Sequence, residues 1–201
     1  MDPETIAAVL FDMDGTLVDS DAAVERAWRS WAAEFGADPD AVLAVAHGAP
    51  AERTVRLMLP GLPEGDVAGA AARQLELQYD DLSDVVATRG ALGLLAALRL
   101  PWAVVTSADL RLARARLGAA GIEAPVLVTV EDVRAGKPDP EGYLRAAELL
   151  GVAARHCLVV EDAEVGVAAG RAAGARVAAL KGVDGDLRLE DLGGLHRLLN
   201  P

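Results

Sequence analysis

Short apolar runs rich in β-branched residues recur along the chain, and amphipathic segments separate most of them. The runs occupy residues 6–11, 102–106, 126–130, 157–161 and 175–180. After the second run the intervals are short, and each holds an Ala/Leu-rich segment ending in glycine, where helices commonly stop. Strands that alternate with such helices are typical of βαβ units. The pattern therefore predicts an α/β fold with a Rossmann-like, doubly wound parallel sheet.

The interval between the first two runs is too long for one crossover, which needs roughly a dozen residues. It holds four segments with helical periodicity, separated by Gly and Pro breaks, and the first follows Ser20, an N-cap candidate. This pattern predicts a small α-helical domain inserted into the α/β domain. The expected boundaries are 1–18 and 86–201 for the α/β core domain and 19–85 for the helical insert.

Composition excludes several classes of partner. The formal charge of −12 repels nucleic-acid backbones, and no basic stripe offsets it. The single cysteine, Cys157, can form no internal disulfide and has no CxxC metal spacing. The N-terminal segment lacks a basic region and a long apolar stretch, so neither a signal peptide nor a membrane span is expected. We expect a cytoplasmic protein without nucleic-acid, membrane or obligate protein partners.

Chemically active residues follow the ends of four predicted strands or their loops. In chain order they are Asp12, Asp14, Thr106, Lys137, Glu161 and Asp162. In open parallel sheets, ligands bind outside the carboxyl ends of the strands. Any one of these acids could simply cap the next helix. As a set, they predict one polar site at one edge of the sheet.

Carboxylates crowded together need a cation, and hard oxygen ligands suit Mg²⁺. Phosphate oxygens commonly complete such a shell, and Thr106, Ser107 and Lys137 would offer further donors to a phosphate. A carboxylate such as Asp12 can attack phosphorus, and a second one, Asp14, can move protons to and from the reacting oxygens. The residues therefore favour phosphoryl chemistry with Mg²⁺ as cofactor.

The stretches "DMDGT" and "VVEDAEVG", with Thr106 and Lys137 between them, resemble the four signature motifs of the haloacid dehalogenase-like hydrolase superfamily. They occur in the family's order, and the similarity covers essentially the whole chain. The resemblance implies that Asp12 is the nucleophile, Asp14 the general acid/base and Lys137 the clamp on nucleophile and phosphate. Thr106 would bind phosphate.

The same resemblance implies a metal site and a cap. The Asp12 carboxylate, the Asp14 backbone carbonyl and Asp162 would hold Mg²⁺, and Glu161 would ligate it directly or through water. The helical insert would be the cap domain that closes over a small phosphorylated metabolite. In similar sugar-phosphate and polyol-phosphate phosphatases a His-Gly pair on a cap loop faces the active site, which here would be His47–Gly48.

Several superfamily reactions fit this chain poorly. Similar dehalogenases lack the second aspartate, which is present here as Asp14, and phosphonatases need a cap lysine, which residues 19–85 lack. β-Phosphoglucomutase-like members carry a cap histidine where this chain has Val24. Hydrolysis of a sugar, hexitol or glycerol phosphate is therefore expected. A phosphomutase, a catalytically silent ligand-binding homologue and a receiver-type switch stay open, although receiver domains lack the DxD spacing and the cap.

Overall fold

The computed structural model describes residues 6–46 and 50–199. The chain forms two compact units: Met1–Asp19 with Val85–Pro201, and Ser20–Asp84. The strands are β1 (Ala8–Phe11), β2 (Val18–Asp19), β3 (Val86–Ala87), β4 (Trp102–Val105), β5 (Leu127–Val128), β6 (Cys157–Glu161), β7 (Arg176–Ala179) and β8 (Leu187–Arg188). The helices are α1 (Asp21–Phe35), α2 (Pro39–Ala46), α3 (Ala51–Met58), α4 (Glu64–Leu77), α5 (Ala91–Ala97), α6 (Leu110–Ala119), α7 (Glu141–Leu149), α8 (Glu164–Ala172) and α9 (Leu192–Leu199).

A six-stranded sheet forms the centre of the first unit, with strand order β5-β4-β1-β6-β7-β8 and parallel pairing throughout. The five predicted runs contain β1, β4, β5, β6 and β7, so the predicted parallel α/β sheet is confirmed. Strand β8 lies outside the five predicted runs.

The strand order reverses at β1. From β1 the chain first builds outward through β4 and β5, and then returns to build β6, β7 and β8 on the other side. Phe11, the last residue of β1, lies opposite Val104 on one neighbour and Val160 on the other. The residues that follow these three positions therefore leave the sheet at one edge. This edge is the topological switch point at which ligands bind in open α/β sheets.

Helices cover the sheet, which explains why its strands are continuous apolar runs rather than alternating ones. All four residues of β1 and all five of β6 are buried. Leu10 and Val159 share one core cluster with Tyr143 of α7 and Val167 of α8. The central strands are thereby fixed by packing, and their carboxyl ends are fixed with them.

Strands β2 and β3 pair antiparallel where the chain leaves and re-enters the first unit. Val18 lies opposite Ala87, and Asp19 lies opposite Val86. The Thr88 hydroxyl donates to the Thr16 carbonyl at 2.5 Å. This short ladder ties the segment after β1 to the segment before α5.

Helices α1 to α4 form the second unit, which has its own core. Trp31 is fully buried there, and its indole Nε1 donates to the Ala70 carbonyl at 2.9 Å. Trp28 meets Trp31 edge-on, and Phe35 stacks on Trp31. Ser20 lies at the N-cap position of α1, but its side chain makes no capping hydrogen bond.

Across the parts of the chain that are described, no helix combines the length and the apolar character that a membrane span requires.

Candidate active site

A tight turn after β1 places Asp12 at the switch point. The Asp12 amide donates to the Val160 carbonyl at 2.9 Å, which continues the β1–β6 ladder by one residue. Gly15 has a φ of +82°, and a Cβ there would overlap the carboxylate of Asp162. Only glycine lets the turn approach Asp162 this closely.

Lys137 lies between two carboxylates. Its Nζ donates to Asp12 Oδ1 at 2.5 Å, to Glu161 Oε1 at 2.7 Å and to the Val105 carbonyl at 3.1 Å. These contacts use all three ammonium protons. The Lys137 side chain is only 9% exposed, so its charge is balanced by these two acids rather than by water. The peptide bond between Lys137 and Pro138 is cis.

Both oxygens of Glu161 are occupied. Oε1 accepts from Lys137 and from the buried Tyr143 hydroxyl, each at 2.7 Å. Oε2 accepts from the amides of Asp162 and Ala163, at 3.1 and 3.3 Å. A Cβ at Gly166, on α8, would overlap this carboxylate. Glu161 is thus held rigidly from four directions.

Burial dominates the electrostatics of this cluster. Desolvation raises the pKa of Asp12 well above its usual value, and the neighbouring Glu161 adds to the rise, while Lys137 opposes it. Burial lowers the pKa of Lys137, but Asp12 and Glu161 outweigh this and the net direction is upward, so the ammonium stays charged. Burial and Glu161 raise the pKa of Tyr143, which keeps its phenol protonated as a donor.

Asp162 faces a second lysine. Lys181 Nζ lies 3.1 Å from Asp162 Oδ2, and the Thr16 hydroxyl donates to Oδ1 at 3.4 Å. Burial raises the pKa of Asp162, and Lys181 opposes this shift. Lys181 itself has a φ of +49°, an uncommon conformation for a residue with a side chain.

Among the described residues, Asp12, Glu161 and Asp162 each offer a carboxylate oxygen, and these oxygens lie within 4.8 Å of one another. A single divalent ion spans such a separation. The donor set consists of hard oxygens, and the three carboxylates carry one more negative charge than the two lysines that contact them, Lys137 and Lys181, can balance. The residues present therefore fit a divalent metal ion.

Asp14 follows Asp12 by two residues and is more exposed than the three carboxylates. Its side chain is 31% exposed, and Oδ1 accepts from Arg116 Nη1 at 2.8 Å. It is not one of the three carboxylates that come within reach of a single ion.

Thr106 and Ser107 follow β4 at the same edge. Thr106 is buried, and its hydroxyl accepts from the Ala108 amide at 3.0 Å, whereas Ser107 is exposed. His47 and Gly48, predicted to contact substrate, lie outside the described residues. On the same helix as exposed Arg53, Arg56 pairs with Glu52 and Glu64, as expected of solvated helix charges.

Three residues near the site were not predicted from the sequence: Arg116, Tyr143 and Lys181. Tyr143 lies six residues after Lys137, in the first turn of α7, and its position on the apolar face was the available signal. Arg116 falls on the apolar face of α6, between the buried Ala113 and Leu117. Lys181 follows β7 at the same sheet edge as the other site residues.

Residues 6–174 match the haloacid dehalogenase-like hydrolase family. The chain belongs to this family of hydrolases, as its motifs indicated. It is 45% identical to hexitol phosphatase A of Escherichia coli over 187 residues, which span 91% of this chain and 87% of that protein.

Two further proteins are similar to this chain, one in sequence and one in structure. The chain is 37% identical to 2-deoxyglucose-6-phosphate phosphatase 1 of Saccharomyces cerevisiae, over 83% of this chain and 76% of that protein. A crystal structure of a hydrolase from Pseudomonas syringae superposes with a TM-score of 0.80 at 26% identity, covering 96% of this chain and 97% of that one.

Proposed function

We propose that this protein is a Mg²⁺-dependent phosphatase that hydrolyses a small sugar, hexitol or glycerol phosphate through an aspartyl-phosphate on Asp12. The observation that carries this proposal is the position of Lys137, whose ammonium joins Asp12 to Glu161 at the switch point of the sheet. An ammonium in this position neutralises charge on a nucleophile and on an incoming phosphate alike.

The side chains of Asp12 and Asp162 and the backbone carbonyl of Asp14 would hold the Mg²⁺ ion. When bound, this ion supplies positive charge that offsets the carboxylates and the phosphate oxygens. Glu161 already accepts four hydrogen bonds, and we assign it to orient Lys137 rather than to contact the ion directly.

The chemistry divides into two displacements at phosphorus. A carboxylate oxygen of Asp12 forms a bond to phosphorus as the bond to the substrate oxygen breaks, and Asp14 gives its proton to that leaving oxygen. Asp14 then takes a proton from a water molecule whose oxygen bonds to phosphorus, which releases Asp12 and inorganic phosphate. Thr106 and Ser107 are assigned to bind the phosphate, and Lys137 holds Asp12 throughout.

The printed names of the relatives support a small polyol or sugar phosphate as substrate, and hexitol phosphates come first because the hexitol phosphatase is 45% identical. The helical unit Ser20–Asp84 is proposed as the cap, with His47 and Gly48 as its candidate substrate contacts. The substrate is thus a small cytoplasmic metabolite, and no nucleic acid, membrane or obligate protein partner is invoked.

Phosphate release tests the proposal. The wild-type chain is expected to release phosphate from sorbitol 6-phosphate, 2-deoxyglucose 6-phosphate or glycerol phosphate, to lose this activity in EDTA and to regain it with Mg²⁺. Asp12→Asn and Asp14→Asn should each lower kcat by about 100-fold or more, whereas Asp66→Asn, an exposed aspartate of α4, should change nothing.

Other outcomes would overturn the assignment. Isomerisation of β-glucose 1-phosphate without phosphate release would identify a mutase. Mn²⁺ binding measured by electron paramagnetic resonance, with no turnover of any phosphate ester, would identify a catalytically silent homologue.

A further inference from the structure

Helix α6 carries a buried charge that the proposed chemistry does not yet use. The buried residues of α6 are Leu112, Ala113, Arg116 and Leu117, and the Arg116 side chain is only 3% exposed. Arg111 and Arg114 on the same helix are exposed. Desolvating a guanidinium is costly unless an acceptor of opposite charge compensates it. An apolar side chain at position 116 would avoid that cost.

One compensating acceptor is the carboxylate of Asp14, 102 residues away along the chain. Arg116 Nη1 donates to Asp14 Oδ1 at 2.8 Å. The two ends of the pair differ in environment, since Asp14 is 31% exposed and Arg116 is 3% exposed. The buried end is anchored by the packing of α6, which begins directly after the β4 loop, and the exposed end lies in the turn after β1. The ion pair therefore restrains the orientation of a partly exposed carboxyl group.

We propose that Arg116 is a positioning residue that orients Asp14 for proton transfer to the leaving oxygen of the substrate. This inference rests on the function proposed above. Oδ1 can accept from the guanidinium whether Asp14 is ionised or protonated, because a neutral carboxyl group keeps a carbonyl oxygen as acceptor. The exchangeable proton is then carried by Oδ2. In the first step this proton passes from Oδ2 to the leaving oxygen as its bond to phosphorus breaks, and in the second Oδ2 takes a proton from the attacking water. Arg116 stays protonated in both steps.

If Arg116 positions Asp14, the loss of activity on replacing Arg116 depends on the leaving group of the substrate. A purely structural role predicts the same loss for every leaving group. An alkoxide needs a proton as it departs, so its release depends on a well-oriented acid. p-Nitrophenolate is a stable anion and departs without one. The ratio kcat/KM covers the steps up to the departure of this group, so it excludes the later hydrolysis of the aspartyl-phosphate. A defect confined to Asp14 orientation must therefore lower kcat/KM for alkyl phosphates more than for p-nitrophenyl phosphate.

The test compares sorbitol 6-phosphate or another hydrolysed alkyl phosphate with p-nitrophenyl phosphate. Arg116→Met, which keeps a long side chain on the apolar face, is expected to lower kcat/KM about tenfold or more for the alkyl phosphate and less than about threefold for the aryl phosphate. The same substitution at exposed Arg114, two residues earlier on α6, should leave both values unchanged. Equal losses for both substrates would reduce Arg116 to a structural residue and overturn the proposal.

A double-mutant cycle gives an independent readout. If Arg116 acts through Asp14, then Arg116→Met should have little further effect on kcat/KM in an Asp14→Asn background. Losses that simply multiply would contradict the proposal. Should Arg116→Met fail to fold by circular dichroism, Arg116→Lys serves the same comparison, because it keeps the charge but not the planar geometry, and equal losses for both substrates again overturn it. A wild-type chain that hydrolyses neither substrate would instead refute the proposed function.

Discussion

At the scale of single residues, Lys137 determines how the site holds together. Three carboxylates approach one another at the end of β1 and β6, and Lys137 is the cation that contacts two of them directly. Removing one partner of a buried ion pair leaves an uncompensated charge, which is more costly than removing the pair.

We expect Lys137→Met to abolish phosphate release and, in EDTA, to lower the free energy of unfolding by ~3–5 kcal/mol. Urea denaturation followed by circular dichroism measures the second effect. Arg145→Met is the matched control, because it removes an ion pair to Glu148 that is exposed and worth at most about 1 kcal/mol. Similar losses of stability in the two variants would show that the Lys137 pairs are no stronger than surface contacts.

The residues that were predictable from sequence are those that follow strands. Asp12, Glu161 and Asp162 come directly after or at the end of long apolar runs, so the parallel topology alone brings them to one edge. Arg116 was not predictable in this way. It is one of three arginines in α6, and periodicity alone did not separate it from the two solvated ones because helix rotation is fixed only by tertiary packing.

At the scale of elements, long segments were predicted well. Among the described residues, the two-residue strand β5 was also predicted because it lies inside the apolar run 126–130, whereas the other two-residue strands were missed. The apolar runs that became β1, β4, β6 and β7 hold at least four strand residues each, enough to stand out from their surroundings. Strands β2, β3 and β8 have two residues each, which is too few for any period to be visible. Helix α9 was also missed, because two glycines in its first turn weaken the helical signal.

The contact between α8 and β6 yields a prediction about one helix. Gly166 lies where a Cβ would overlap the Glu161 carboxylate, so Gly166→Ala should push Glu161 away from Lys137. We expect a loss of ~1–3 kcal/mol in unfolding free energy, together with reduced phosphate release. Gly118→Ala on α6 is the control, because a Cβ there meets no neighbouring atom within 4 Å. That variant should gain up to ~1 kcal/mol from helix propensity alone. A gain of similar size in both variants, measured by thermal unfolding, would contradict the close packing of α8 on Glu161.

At the scale of the whole molecule, the chain forms two units with separate cores, so the unfolding of each unit needs its own probe. Cys157 starts β6 in the first unit and is fully buried, and burial raises the pKa of its thiol to about 11. Thiolates, not thiols, react with disulfide reagents, and the unfolded chain has the ordinary thiol pKa of about 8.5. Folding therefore suppresses the reaction at pH 8, both by excluding the reagent and by keeping the thiol protonated.

We expect the native chain to react with 5,5′-dithiobis(2-nitrobenzoic acid) only as fast as the first unit opens. Denaturant should increase the rate in parallel with the loss of the circular dichroism signal. Rapid labelling of Cys157 in the folded chain, with the spectrum unchanged, would contradict the burial of β6.

An inserted unit was predicted because the interval between the first two apolar runs is too long for a crossover. The detailed pairing of Lys137, Tyr143 and Glu161 was not, because it depends on how α7 packs against β4 and β1, and no local pattern encodes that. Sequence thus indicates which residues reach the sheet edge, and packing decides which of them touch.

The proposed hydrolysis depends on phosphorylation of Asp12. Borohydride reduces an aspartyl-phosphate to an alcohol. The protein is therefore quenched during turnover of its phosphate ester and treated with borohydride, and peptide mass spectrometry then identifies the reduced residue. Reduction is expected at Asp12 in the wild-type chain and not in the Asp12→Asn variant. Steady hydrolysis of the ester with residue 12 always recovered unmodified, or with another residue reduced in its place, would contradict this expectation.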